Sequence, residues 1–169
     1  MTTGEGAAPE VDTDLYRHVV GRLAKGVSVV TTTASGHHHA LTADSVTSVS
    51  LDPVLLLVCV ETDARFHDAV IECGAFGVSV LAADQRATAA WFATPGRPLP
   101  GQMDRAPHTL TPSGIPLLDG ALSTLECTVR DVHPAGDHSI IVGEVRDARL
   151  GGDPKAALVH FRGQYSALP

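Results

Sequence analysis

The sequence predicts a mainly β fold, an antiparallel barrel with a few peripheral α-helices. Around residues 121–129, Ala121, Leu125, Cys127 and Val129 are apolar while Thr124, Glu126, Thr128 and Arg130 are polar, the period of two of a half-buried strand. Short turn signals such as Ala34-Ser35-Gly36 and His133-Pro134-Ala135-Gly136-Asp137 join extended runs as hairpins. Nowhere does a regular strand–helix–strand alternation appear that would demand a parallel sheet.

The elements follow in chain order. Residues 1–13 are small and polar without periodicity and read as a disordered tail, leaving 14–169 as one domain. Leu15, Val19 and Leu23 recur at i, i+4 and i+8, so a short amphipathic helix is expected, capped by Asp12 or Thr13 and stopped at Gly26. Val27 to Thr33 is a β-branched strand, and His37-His38-His39 enters the next one. Val54 to Val60 is too apolar to have a wet face and is expected as a central strand covered on both sides. Residues 64–73 suit a short helix ended by Gly74, and Phe76 to Leu81 a buried strand. Asp84 is the expected cap of an alanine-rich helix through Phe92. Arg97 to Pro116 carries five prolines and reads as a long surface loop. Beyond the hairpin at Gly136, Ser139 to Arg149 and Leu158 to Phe161 complete the strands.

A chain of 169 residues is long enough for one core that buries roughly two-thirds of its unfolded surface. Twelve Lys and Arg against nineteen Asp and Glu leave a net charge of −7, which repels nucleic acid and anionic lipid. Cys59, Cys73 and Cys127 are odd in number and lack CxxC spacing, so they read as free thiols in a reducing, cytoplasmic compartment. Met1 to Asp12 has neither the basic nor the apolar region of a secretory signal. The adjacent imidazoles of His37, His38 and His39 alternate in direction along a strand and do not converge, so no metal site is expected.

Two segments carry chemistry. The run Ala40 to Pro53, dense in small and hydroxyl residues, offers approachable backbone N–H groups and O–H donors to a planar polar ligand. Gly136-Asp137 turns the chain so that His138 sits at the start of a strand, at a rim and not in a core.

With Lys25 to Thr32, Phe76 to Leu81, Leu125-Glu126-Cys127 and Phe161-Arg162-Gly163-Gln164-Tyr165 in the same order, the chain resembles, from about Leu15 to Leu168, the flavin reductase family of the FMN-binding split barrel. The resemblance implies a Greek-key split β-barrel that pairs as a homodimer. It implies an NAD(P)H-dependent flavin reductase that passes a hydride from NADH or NADPH to FAD or FMN and releases reduced flavin to a flavin-dependent monooxygenase. A flavin-binding or electron-carrier protein of the same fold is the alternative, and His138 favours the enzyme. By the same resemblance Thr42, Ala43, Asp44 and Ser45 bind the isoalloxazine edge, with Ser48 and Ser50 as further candidates. Thr62 and Arg65 are expected at the ribityl-phosphate end, with Arg86 a second candidate cation, and Tyr165 as a lid or stacking partner. His138 is expected to orient the nicotinamide. The family often has Gly at the position of Ala40, and Asn or Ser at that of Asp44. A carboxylate there, if it faced the ring, would oppose negative charge on reduced flavin.

Overall fold

The computed structural model describes residues 10–152 and 155–169, so most of the 1–13 segment lies outside the described residues. Twelve strands and three helices are formed among them: α1 (Thr13–Val20), β1 (Lys25–Gly26), β2 (Ser28–Ala34), β3 (His37–Ala43), β4 (Thr47–Leu51), β5 (Val54–Glu61), α2 (Arg65–Cys73), β6 (Ala75–Val80), α3 (Arg86–Ala93), β7 (His108–Leu110), β8 (Pro116–Leu118), β9 (Ser123–Ala135), β10 (His138–Leu150), β11 (Ala157–Phe161) and β12 (Gln164–Leu168). The main sheet has the order β3-β2-β6-β9-β10-β5-β4, and all its neighbours pair antiparallel. A three-stranded sheet, β1-β11-β12, and the β7–β8 hairpin complete the fold.

Connectivity explains why the sheet curls. β3 and β4 are its two edges, yet only Asp44, Ser45 and Val46 separate them in sequence, a link that cannot span more than about 14 Å. The edges must therefore approach, and β3 touches β5. No ladder joins β3 to β4, so the barrel is split and not closed. The split seam runs past residues 44–46.

Inside the curl, Val30, Val58, Val60, Phe76, Val78, Cys127 and Ile141 form the main core. Phe76 lies over Gly143, where an added Cβ would stand 2.5 Å from Phe76 Cζ and 2.9 Å from Cys127 Cβ. Gly143→Ala is accordingly expected to lower stability by about 1–3 kcal/mol, read as a fall in melting temperature, because a packed interior accepts no extra methyl at that distance. Burial beside Glu126 pushes the Cys127 thiol up to about 12, so it is an inert core group.

Several local expectations are corrected. α1 takes Asp12 as its cap, which accepts from the Asp14 N–H, but it ends at Gly21; Gly26 sits in β1 because its chain pairs with β11. Val54 to Val60 is not central: β5 is next to the edge, with Leu56, Val58 and Val60 buried while Val54, Leu55, Leu57 and Cys59 are exposed or half-buried. Its apolar outer face is only partly covered by the described residues. Asp84 falls in a 3₁₀ turn before α3, whose N-cap is Gln85, and its carboxylate receives Lys155 Nζ at 2.9 Å. Residues 97–116 are not a surface loop. Met103, Ala106 and Ile115 are buried, and Thr31 and Thr33 donate to the carbonyls of Pro116 and Gly114, fastening the segment onto β2. The hairpin turn is only Gly136-Asp137, with β9 running through Ala135, and Gly136 takes the left-handed φ of 69° that the tight turn requires.

Candidate active site at the barrel seam

Two adjoining cavities lie along the seam. One, about 350 Å³, is lined by Val27, Leu41 and Ala43 on its apolar side and by Asp44, Ser45 and His138 among its polar groups, with His160 and Tyr165 also in the wall. The other, about 370 Å³, includes Arg65, Arg97 and Gln102. Leu41, Glu61 and Ala93 belong to both, so the two form one groove.

β3 delivers Thr42 and Ala43 to the seam, and the chain then leaves the ladder. Among the described residues, the backbone N–H groups of Asp44, Ser45 and Val46 have no hydrogen-bond partner in the protein. A row of free donors beside an apolar wall fits the polar edge of a flat heteroaromatic ring. The hydroxyls, by contrast, are engaged: Thr42 Oγ1 donates to the Ala89 carbonyl at 2.7 Å. Ser45 Oγ accepts from the Cys59 N–H at 3.1 Å and donates to the Cys59 carbonyl at 3.0 Å, clamping the turn to β5. The turn is thus held from both sides while its N–H groups stay available.

His138 opens β10 opposite Glu61, and its Nδ1 lies 2.6 Å from Asp137 Oδ1. That hydrogen bond holds the Asp137 carboxyl below its usual value, and an ionised carboxylate only accepts, so Nδ1 donates to it and Nε2 faces away from Asp137. Thr62 does not line the groove; its N–H and Oγ1 both donate to the Asp137 carbonyl, at 3.0 and 3.1 Å, and hold the hairpin that carries His138. Arg65 lines the second cavity and donates to the Arg97 carbonyl at 2.6 Å. Ser48 and Ser50 line neither cavity; they lie on the edge strand β4, where Ser50 Oγ donates to the Pro53 carbonyl. Tyr165 lies against His160 with the rings tilted by 52° and their centroids 5.7 Å apart, and the Arg86 guanidinium is 6.0 Å from its ring. Of the sequence candidates, the groove thus brings together Thr42, Ala43, Asp44, Ser45, His138 and Tyr165, with Arg65 farther along it.

Sequence reasoning missed Lys25, His160 and Arg97. Asp44 Oδ2 receives Lys25 Nζ at 2.7 Å and His160 Nδ1 at 2.9 Å. Burial alone would raise the Asp44 carboxyl, but hydrogen bonds from Lys25 and His160 outweigh it and hold the group below its ordinary range. Because the folded value lies below the unfolded one, the pair stabilises the fold above the unfolded carboxyl value of about 3.9 and loses that contribution as pH falls through the lower folded value. The melting-temperature gap between the wild type and Asp44→Asn should therefore be full at neutral pH and narrow in acid. Arg97 donates to the carbonyls of Phe92, Thr94 and Ala40 at 2.6–2.7 Å, tying the end of α3 to β3. Its Nε is buried without a partner, and burial and nearby Arg65 pull its value down.

Comparison with known proteins agrees with this geometry. A family model described as flavin reductase like domain matches residues 20–169. An NADH-dependent flavin reductase of Rhodococcus sp. is 40% identical over 99% of this chain and 92% of its own length. An NADH-dependent FAD reductase of Streptomyces globisporus is 44% identical over 76% of this chain and 71% of its own. Among solved structures, the flavin reductase component of a bacterial two-component tryptophan halogenase matches with a TM-score of 0.88 and 46% identity, covering 94% of this chain and 99% of that one. The Streptomyces globisporus NADH:FAD oxidoreductase, solved with NAD and FAD fragments, matches with a TM-score of 0.86 and 36% identity over 94% of this chain and 96% of that one.

Proposed function

The chain belongs to the flavin reductase-like family, and from that premise we propose that it is an NADH:flavin oxidoreductase whose seam groove binds flavin and nicotinamide together and releases reduced flavin to a partner monooxygenase. The observation that carries this reading is the groove itself, where Asp44 and Ser45, whose backbone N–H groups are free, share one cavity with His138. When bound, the nicotinamide supplies a hydride, two electrons with one proton, and the flavin accepts it, so no protein nucleophile or metal is required. The chain contributes position. The N–H groups of Asp44 and Ser45 hold the polar edge of the flavin ring, with Thr42 and Ala43 forming the strand that presents them. Arg65 serves the phosphate end. Ser48 and Ser50 are read as parts of the edge strand.

In the neutral ring, with Nδ1 donating to Asp137, His138 Nε2 is an acceptor that suits the amide N–H of a nicotinamide carboxamide and orients that ring over the flavin. Tyr165 covers the groove beside it. His138→Ala is expected to slow reduction of prebound flavin or weaken NADH binding roughly 2- to 13-fold, the effect of about 0.5–1.5 kcal/mol, with flavin affinity and melting temperature little changed. Stopped-flow reduction, a flavin titration and a melting curve on the same variant check this. Equal losses in all three would mark His138 as structural.

We also read the protein as a cytoplasmic homodimer of one domain spanning residues 14–169. The apolar outer face of β5, together with exposed Val49 and Leu51 on β4, supports pairing with a second copy. Light scattering on the active protein tests it, and a fully active monomer would count against it. No described helix is long and apolar enough to cross a membrane.

A further inference from the structure

We propose that the Lys25–Asp44 ion pair, tied in by His160, is a charge balance at the flavin end of the seam that sets how tightly reduced flavin is held relative to oxidised flavin, and thereby governs its release. This rests on the reading of the seam as a flavin site. The small sheet builds the arrangement. Lys25 on β1 pairs in register with His160 on β11, which pairs with Tyr165 on β12. That row meets the 44–46 turn, and both donors converge on Asp44 Oδ2. Asp44 Oδ1 is left without a partner among the described residues, and Asp44 lines the cavity. Lys25 and Asp44 are each about one-third exposed, at 33% and 30%, so the charges are only partly screened. The other charged or titratable groups nearby are Cys59, Glu61 and His138 in the same cavity wall, Tyr165, and Arg86 against the Tyr165 ring.

The oxidised flavin ring is neutral, and accepting a hydride leaves it one negative charge. A charge in the wall therefore acts almost entirely on the reduced form. With Lys25 and Asp44 both present the two signs offset each other, and the reduced ring gains little hold. Asp44→Asn keeps the shape and leaves the Lys25 ammonium uncompensated, so reduced flavin should be held more tightly. Lys25→Met leaves the Asp44 carboxylate uncompensated, so reduced flavin should be held more weakly. A purely structural role cannot produce opposite signs.

The experiment titrates the full chain with FMN, once oxidised and once photoreduced under anaerobic conditions, in mildly alkaline low-salt buffer where reduced FMN is an anion. The readout is the ratio of the reduced to the oxidised dissociation constant, with melting curves alongside. Asp44→Asn should lower the ratio roughly three- to tenfold and Lys25→Met raise it by a similar factor, effects that shrink with added salt. Converted at 29.6 mV per tenfold for two electrons, the bound-flavin potential moves up or down by about 14 to 30 mV. If one variant fails to fold, the sign of the other still decides. Shifts in the same direction, or none in a wild type that binds both forms, overturn this proposal alone. A wild type that binds neither form removes the flavin site itself, and the proposal with it.

Discussion

Phe76→Ala should lower stability by about 3–5 kcal/mol, the largest single effect expected outside the groove. Phe76 is fully buried on β6, the middle strand of the β2-β6-β9 set, and its ring fills the space that the absent side chain of Gly143 leaves on β10. Truncation removes the ring from both neighbours at once, and the backbone at Gly143 has no side chain that can move in to fill the void. At roughly 2–4 °C per kcal/mol for a chain of this size, the melting temperature should fall by about 6–20 °C. Calorimetry checks the value. A fall of only one or two degrees would show that the barrel interior is not packed as described.

Arg97→Met is expected to cost about 2–5 kcal/mol and to weaken flavin binding in the same variant. Methionine keeps much of the volume but donates nothing, so the carbonyls of Ala40, Phe92 and Thr94 lose a charged donor together. Ala40 lies two residues before Thr42 on β3, and Thr42 is itself tied to Ala89 of α3, so loosening the end of α3 loosens the strand that presents the 44–46 turn. Coupled loss of stability and of flavin affinity is the signature. A variant that melts early yet binds flavin as tightly as the wild type would detach Arg97 from the site.

The strands were legible in sequence where local pattern decides them. The alternation around 121–129 marks β9, the Ser35-Gly36 turn joins β2 to β3, and Gly74 ends α2 in the left-handed conformation only glycine adopts freely. What misled were segments whose state is set by distant partners. Val54 to Val60 looks central because every residue is apolar, yet hydrophobicity does not say whether the second face is covered by the same chain. The 97–116 segment looks solvated because prolines break its periodicity, but its buried residues and the threonine hydroxyls of β2 hold it down. The site was half visible for the same reason. The 42–45 stretch and the Gly136-Asp137 turn into His138 are local signals, and they meet in one cavity. Lys25 and His160 reach Asp44 only through the register of β1 with β11, and Arg97 acts across a gap of 57 residues to Ala40, so neither carries a local mark.

The central claim is that the seam passes a hydride to a flavin that then leaves. It is tested most directly by mixing the purified chain with NADH and following NADH absorbance and labelled flavin across a dialysis membrane, with and without added FMN or FAD. NADH oxidation should depend on added flavin and continue for many turnovers per chain, while labelled flavin exchanges freely with the bulk. A stoichiometric flavin that never exchanges during turnover, or NADH consumption indifferent to added flavin, would contradict it.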